Sequence, residues 1–222
     1  MKYRVVEKFV SINGEGTKAG QLAVFVRFAG CNLRCDYCDT KWAYMADVAY
    51  VEMSGEEILE YIKSCGVKNV TLTGGEPLIQ AGIRSLLELL AEDEELFVEI
   101  ETNGSIDIGP YDDMHRRPAM TLDYKLPGSG VAASAMKVEN YAHLRAYDTV
   151  KFVASSIEDL DVARELIDTY GLAEKCHVYL SPVFGKIAPA DMVEYMKDNH
   201  MNGVNLQLQL HKFIWDPDKK GV

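Results

Sequence analysis

The chain has 222 residues, 48% of them apolar, which is long enough to bury one sizeable core; no linker or low-complexity stretch divides it, so one domain spanning 1–222 is expected. The formal net charge of −11 is spread through the sequence, and no basic run is longer than the pair Lys219-Lys220, so the surface repels phosphate backbones and favours a small-molecule partner over nucleic acid. No segment approaches the length of a membrane span, and the start, Met1-Lys2-Tyr3-Arg4-Val5-Val6, lacks the apolar run of a signal peptide; a cytoplasmic protein without membrane contact is expected.

Apolar runs recur at 22–29, 69–73, 96–101, 119–124, 149–154, 176–181 and 204–209, with amphipathic segments between several of them. That alternation predicts parallel strands joined by crossover helices. The first helix opens on a capping box, Ser54 with Glu57 three residues on, carries Ile58, Leu59 and Ile62 on one face, and stops at Gly66. A second starts near Ala81, a third covers 156–170 and a fourth 189–199. A full eightfold barrel uses about 250 residues. The fold class predicted is therefore α/β, a partial (β/α)6-like TIM barrel, with a doubly wound open sheet as the alternative.

Polar motifs sit at the strand ends. After the first strand and Gly30 comes Cys31-Asn32-Leu33-Arg34-Cys35-Asp36-Tyr37-Cys38, a C-x3-C-x2-C loop one ligand short of a closed site. Structural zinc takes four protein ligands, and a four-iron cluster has four corners; three thiolates leave one corner open. Three of the five cysteines gathered in one loop argue for a metal over disulfides, and Cys65 and Cys176 read as packing residues. A zinc knuckle completed by a distant Cys or His stays open on spacing alone. The next strand ends in Thr71-Leu72-Thr73-Gly74-Gly75-Glu76-Pro77, where two glycines allow close backbone approach to a ligand. Later ends carry Glu99, Glu101 and Asn103, then Asp123 and Lys125, then Lys151, Ser181, and Gln207, Gln209 and His211. Several loops thus contribute to one face, as in a site built at the mouth of a barrel.

The cysteine spacing resembles that of radical S-adenosylmethionine (SAM) enzymes. That resemblance implies three thiolates, Cys31, Cys35 and Cys38, on a [4Fe-4S] cluster whose fourth iron is chelated by SAM, and reductive cleavage of SAM to a 5′-deoxyadenosyl radical. A closer resemblance covers nearly the full length. Phe9-Val10-Ser11-Ile12-Asn13-Gly14-Glu15-Gly16, Phe25-Val26-Arg27-Phe28, Cys38-Asp39-Thr40, Glu101-Thr102-Asn103-Gly104, Asp123-Tyr124-Lys125 and the stretch from Leu208 to Trp215 are similar to the 7-carboxy-7-deazaguanine synthases of queuosine and 7-deazapurine biosynthesis.

The resemblance implies ring contraction of 6-carboxy-5,6,7,8-tetrahydropterin with loss of ammonia, requiring the cluster, SAM used catalytically, and Mg2+. It implies substrate contacts at Ile12, Asn13, Gly14, Glu15, Arg27, Thr73 and His211. Cofactor contacts would fall at Tyr37, Cys38, Asp39, Gly74, Gly75, Glu76, Lys125 and Ser181, with Thr40 on Mg2+. Asn13 stands where the family more often has Gln. Arg27, a planar two-pronged donor, suits a carboxylate. No side chain is assigned as an acid or base, the chemistry resting with cluster and SAM. A homodimer and an electron donor such as flavodoxin or ferredoxin are further implications. The competing readings are a radical SAM activase that docks a glycyl-radical polypeptide and a zinc-stabilised binding module. The Asn13–Gly16 segment, the Asp39-Thr40 pair and the His211–Trp215 stretch favour the synthase.

Overall fold

The computed structural model describes residues 1–217 and 219–222. Its centre is a nine-stranded sheet: β1 (Lys2–Ile12), β2 (Leu22–Phe28), β3 (Val51–Ser54), β4 (Asn69–Gly74), β5 (Phe97–Thr102), β6 (Ala119–Tyr124), β7 (Thr149–Ala154), β8 (His177–Pro182) and β9 (Val204–Leu206). They lie in the order β3-β1-β2-β4-β5-β6-β7-β8-β9. From β2 onward the neighbours are parallel, and β1 pairs antiparallel with both β2 and β3.

The seven anticipated strands are present, the last shortened to Val204–Leu206. β1 and β3 were not anticipated. The helices are α1 (Gly55–Ser64), α2 (Ile83–Ala91), α3 (Ile157–Tyr170), α4 (Leu172–Lys175), α5 (Pro189–Asp198) and α6 (His211–Ile214). The α1 capping box forms in both directions: Glu57 N–H donates to Ser54 Oγ at 3.2 Å, and Ser54 N–H donates to Glu57 Oε2 at 2.7 Å. Between β5 and β6, and again between β6 and β7, only short 3-10 turns occur among the described residues. The sheet is thus a mostly parallel, open one consistent with a partial barrel, two of whose crossovers lack an α-helix.

Strand alternation gives the sheet two unlike faces. One carries Val24, Val26, Phe28, Val70, Leu72, Ile100, Met120, Leu122, Val150, Phe152, Val178 and Leu180, all at most 2% exposed and packed with Ile58, Ile62, Leu86, Leu90, Leu160 and Ala163 of the helices. Each large apolar side chain so buried contributes about 1.5–3 kcal/mol. The register aligns polar residues on the other face: Arg27 beside Thr73, Thr71 beside Glu99, Glu101 beside Thr121, and Asp123 beside Lys151.

The polar face is concave. Glu15, just past β1, accepts hydrogen bonds at 3.1 Å from Lys151 on β7 and from Ser181 on β8, which only a curled sheet permits. The segment after β9 closes this seam: Gly16 N–H donates to Gln207 Oε1 at 2.7 Å, Gln207 Nε2 donates back to the Gly16 carbonyl at 3.0 Å, and Leu210 N–H donates to the Gly14 carbonyl at 3.1 Å. The result is a polar lumen, with the cysteine loop at its C-terminal mouth.

Candidate active site

β2 delivers the cysteine loop through Gly30, whose φ of +90° suits only glycine comfortably. The loop after β4 lies directly against it. Gly75 N–H donates to the Phe28 carbonyl at 3.1 Å and Glu76 N–H to the Gly30 carbonyl at 2.8 Å. A β-carbon on Gly75 would stand 1.9 Å from Gly30 O, and one on Gly74 2.4 Å from Phe28 O. The two glycines therefore serve first to seat one backbone on another.

Cys35 is buried, while Cys31 and Cys38 are partly open. Burial pushes the Cys31 and Cys35 thiols up, and the neighbouring thiols add to the shift. N–H groups face the Cys31 sulfur, from Leu33 at 3.4 Å and from Asn103 Nδ2 at 3.7 Å, contacts of the kind that tune a cluster thiolate. Cys65 packs against the core beside α1, and Cys176 is buried beside β8 with its thiol on the Leu172 carbonyl at 3.6 Å. Among the described residues no three His, Cys, Asp or Glu side chains converge as ligands of one ion. Three sulfurs on a single zinc would crowd within about 4 Å of one another, given Zn–S bonds of about 2.3 Å. Thiols that each take a separate iron have no such need, so the donor set fits a cluster.

Within the lumen, Glu15 is the centre of a network with Lys151, Ser181 and Gln209, whose Nε2 donates at 3.1 Å. Burial pushes its carboxyl up, but Lys151, Gln209 and Ser181 outweigh that and hold it below the usual range. Burial alone would lower Lys151; Glu15 and Asp123 reverse the shift and hold its ammonium charged. Lys125 Nζ donates to Asp123 Oδ2 at 2.6 Å and lies 5.9 Å from the Tyr37 ring centre, beside the cysteine loop. Burial pushes Tyr37 up, so its hydroxyl stays protonated.

Arg27 faces the lumen, where its Nε donates to Glu7 Oε1 at 2.7 Å. Glu7 escaped the sequence reading. Thr73 donates to Glu101 Oε2 at 3.0 Å, and the Asn13 side chain is buried with its Oδ1 accepting from Thr71 at 2.9 Å. Ile12 ends β1, and the His211 ring covers Gly14, where a β-carbon would meet Nδ1 at 2.6 Å. Burial lowers the pKa of His211.

Glu76 is fully buried, and its oxygens accept from Leu78 N–H, Thr102 Oγ1 and Asn103 N–H at 2.9, 2.9 and 2.7 Å, tying the β4 loop to the end of β5. Ser181 is also fully buried, and its hydroxyl donates to Glu15. Asp39 is exposed, 3.8 Å from Lys212 Nζ. Thr40 precedes a 3-10 turn, Lys41–Tyr44, without capping it; its hydroxyl donates to Asp39 Oδ1 at 3.3 Å. A lone hydroxyl beside one carboxylate is too small a donor set for magnesium, which wants about six oxygens, so the ion fits here only with oxygens from a substrate and water.

The partial barrel with a three-cysteine loop at its mouth defines a radical SAM enzyme, and the radical SAM superfamily profile matches residues 25–121. Similarity to curated proteins runs the whole length. The chain is 56% identical to the 7-carboxy-7-deazaguanine synthase of Clostridium acetobutylicum over 100% of both chains, and 36% identical to that of Chlorobaculum tepidum over 98% of this chain and 96% of the other. The crystal structure of QueE from Escherichia coli superposes with a TM-score of 0.71 at 25% identity, covering 94% of each chain. The chain belongs to the 7-carboxy-7-deazaguanine synthase family.

Proposed function

We propose that this protein converts 6-carboxy-5,6,7,8-tetrahydropterin into 7-carboxy-7-deazaguanine and ammonia, in the cytoplasm, as a homodimer supplied with electrons by a flavodoxin- or ferredoxin-like donor. The observation that carries the reading is 56% identity across the whole of both chains, joined to a cysteine loop that opens onto a charged lumen. When bound, the [4Fe-4S] cluster and SAM supply one-electron chemistry that removes a hydrogen atom from the substrate.

The chain's own task is orientation and exclusion of water. Arg27, with Nε fixed by Glu7, offers its remaining N–H groups to the substrate carboxylate. Glu15, held ionised by Lys151, is a fixed acceptor for ring N–H groups, and the backbone of Ile12–Gly14 lies next to it. Thr73 borders Arg27 in the register and takes the same ligand. His211, over Gly14, covers one side. At the mouth Tyr37, Cys38, Asp39, Gly74, Gly75 and Lys125 surround the space for SAM. Thr40 binds Mg2+ together with substrate oxygens.

Anaerobic turnover with the carboxytetrahydropterin, SAM, a reductant and Mg2+, followed by mass analysis, tests the reaction. Product smaller than substrate by one ammonia is expected, and unchanged pterin would refute the reading. Thr40→Val removes the oxygen and should sharply lower turnover at fixed Mg2+ while iron content and SAM binding persist. Tight Mg2+ binding in calorimetry without pterin would refute the shared coordination.

A further inference from the structure

Glu99 lies at the floor of the lumen, in a position that the roles above leave unexplained. Glu15 and Asp123 touch lysines, whereas Glu99 and Glu101 are met by hydroxyls, Thr121 Oγ1 donating to Glu99 and Thr73 Oγ1 to Glu101. The groups around Glu99 come from every neighbouring element. Thr71 of β4 and Ala119 of β6 flank it, Glu101 stands two residues up its own strand, and Lys151 of β7, Tyr179 of β8 and Glu15 face it across the lumen. The backbone of Gly16 comes close enough that a β-carbon there would lie 3.4 Å from Glu99 Oε1.

Beneath Glu99, at the N-terminal end of the strands, is a cavity of about 330 Å³ lined by Asn13, Lys18, Thr71, Glu99, Arg116 and Arg117 among others. It reaches the surface beside the exposed Phe97. Arg117 is neutralised there by Asp148, and the Arg116 guanidinium donates to the carbonyls of Ala91, Asp93, Glu94 and Leu96. Glu99 therefore has the substrate lumen above it and a second, separate way to water below.

We propose that Glu99 is the proton-exchange group of the lumen floor, taking a proton from the lumen side and returning one to it, in equilibrium with water in the cavity below. The role rests on the reaction proposed above. Loss of ammonia breaks a C–H bond, whose electron pair becomes a ring double bond, and a C–N bond, whose pair leaves on nitrogen. One proton leaves carbon and one joins the departing nitrogen, so the elimination consumes no oxidant or reductant. Glu99 acts through the Thr73–Glu101 layer and lumen water, not on the substrate directly. Burial, then the charge of Glu101, pushes its carboxyl up to about 7, against the Thr121 hydrogen bond and Lys151. A group titrating there serves as acid and base in turn at neutral pH.

Glu99→Gln keeps the size and the acceptor for Thr121 but cannot titrate. In the reconstituted holoenzyme it should slow product formation by about 100-fold and abolish the limb of the pH–rate profile near neutrality. Deuterium transfer from labelled substrate to the cofactor should continue at the wild-type rate. Infrared titration of the wild-type holoenzyme should show a protonated-carboxyl band that disappears near pH 7 and is missing in the variant. A wild-type band that titrates in the ordinary carboxylate range, or a variant matching wild type in rate across pH, overturns the role. A wild type that yields no 7-carboxy-7-deazaguanine overturns the function itself and this role with it.

Discussion

Replacing Gly75 by Ala should dismantle the cysteine site from a distance of one backbone contact. The added carbon would lie 1.9 Å from the Gly30 carbonyl oxygen, 2.4 Å from its carbon and 2.9 Å from Cys31 Cβ, where real β-carbons essentially never approach within 3.0 Å. The two loops must therefore part by at least the 1.1 Å between those limits, and neither clashing group is a flexible side-chain end. Parting removes the bonds from Gly75 N–H to Phe28 O and from Glu76 N–H to Gly30 O. At about 0.5–1.5 kcal/mol each, their loss costs about 2 kcal/mol, or about 4–8 °C in melting temperature for a chain of this size. Cys31 moves with Gly30, so iron binding should suffer more than the fold does. Iron and sulfide content after anaerobic reconstitution, set beside a melt followed by circular dichroism, reads both. A Gly75→Ala protein with full iron content and an unchanged melting temperature would show that the loops are not seated on each other as described.

Cys35→Ser should lose its iron and Cys65→Ser should keep it; equal loss in both would refute a three-thiol site. The side chains of Arg117 and Asp148 are both 0% exposed, and Asp148 also accepts from Met120 N–H and Arg145 N–H. Asp148→Ala leaves the guanidinium buried without its counter-ion and should cost about 3–5 kcal/mol in urea unfolding, so a loss under about 1 kcal/mol would contradict the pairing. Because burial and the charge of Glu101 push the Glu99 carboxyl up from 4.5 to about 7 in the folded state, that state binds the extra proton between those values. Its contribution is full below pH 4.5 and falls away as pH rises to 7, by at most about 3 kcal/mol. Unfolding free energies at pH 5 and pH 8 should differ less in Glu99→Gln than in wild type, and parallel curves would deny the shift.

The parallel strands and the main helices were legible because each leaves a local mark: an apolar run at 149–154, the Ser54/Glu57 capping box, and the apolar stripe of α3. β1 left none. Its register shifts between Val5 and Glu7, so Tyr3 and Val5 point into the helix-side core while Glu7 and Phe9 point into the lumen. A bulge of this kind breaks the alternation by which a strand is recognised. The same bulge brings Glu7 to Arg27, which is why that ion pair was invisible from either segment alone. The cysteine loop was readable because its three ligands lie within eight consecutive residues, whereas Glu99 looks like any outward residue of a half-buried strand. Only the curl of the sheet turns that outward face into a lumen. The partners of Glu76 and Ser181 are illegible for a related reason: spacing locates a side chain at a strand end but does not say which group reaches it first.

The clasp between Gly16 and Gln207 joins positions 191 apart in sequence. Contacts of such long range form late, since the chain between them must first be brought together. Synthesis runs from the N-terminus, and at about 5–20 residues per second the ribosome needs on the order of ten seconds to pass from Cys38 to Gln207. The same interval separates the emergence of the two segments, so β2 and its cysteines are outside while the seam of the barrel is still open. Order of synthesis thus gives a nascent chain time in which its thiols are accessible to an iron–sulfur donor, before the last strand and the segment beyond it complete the wall.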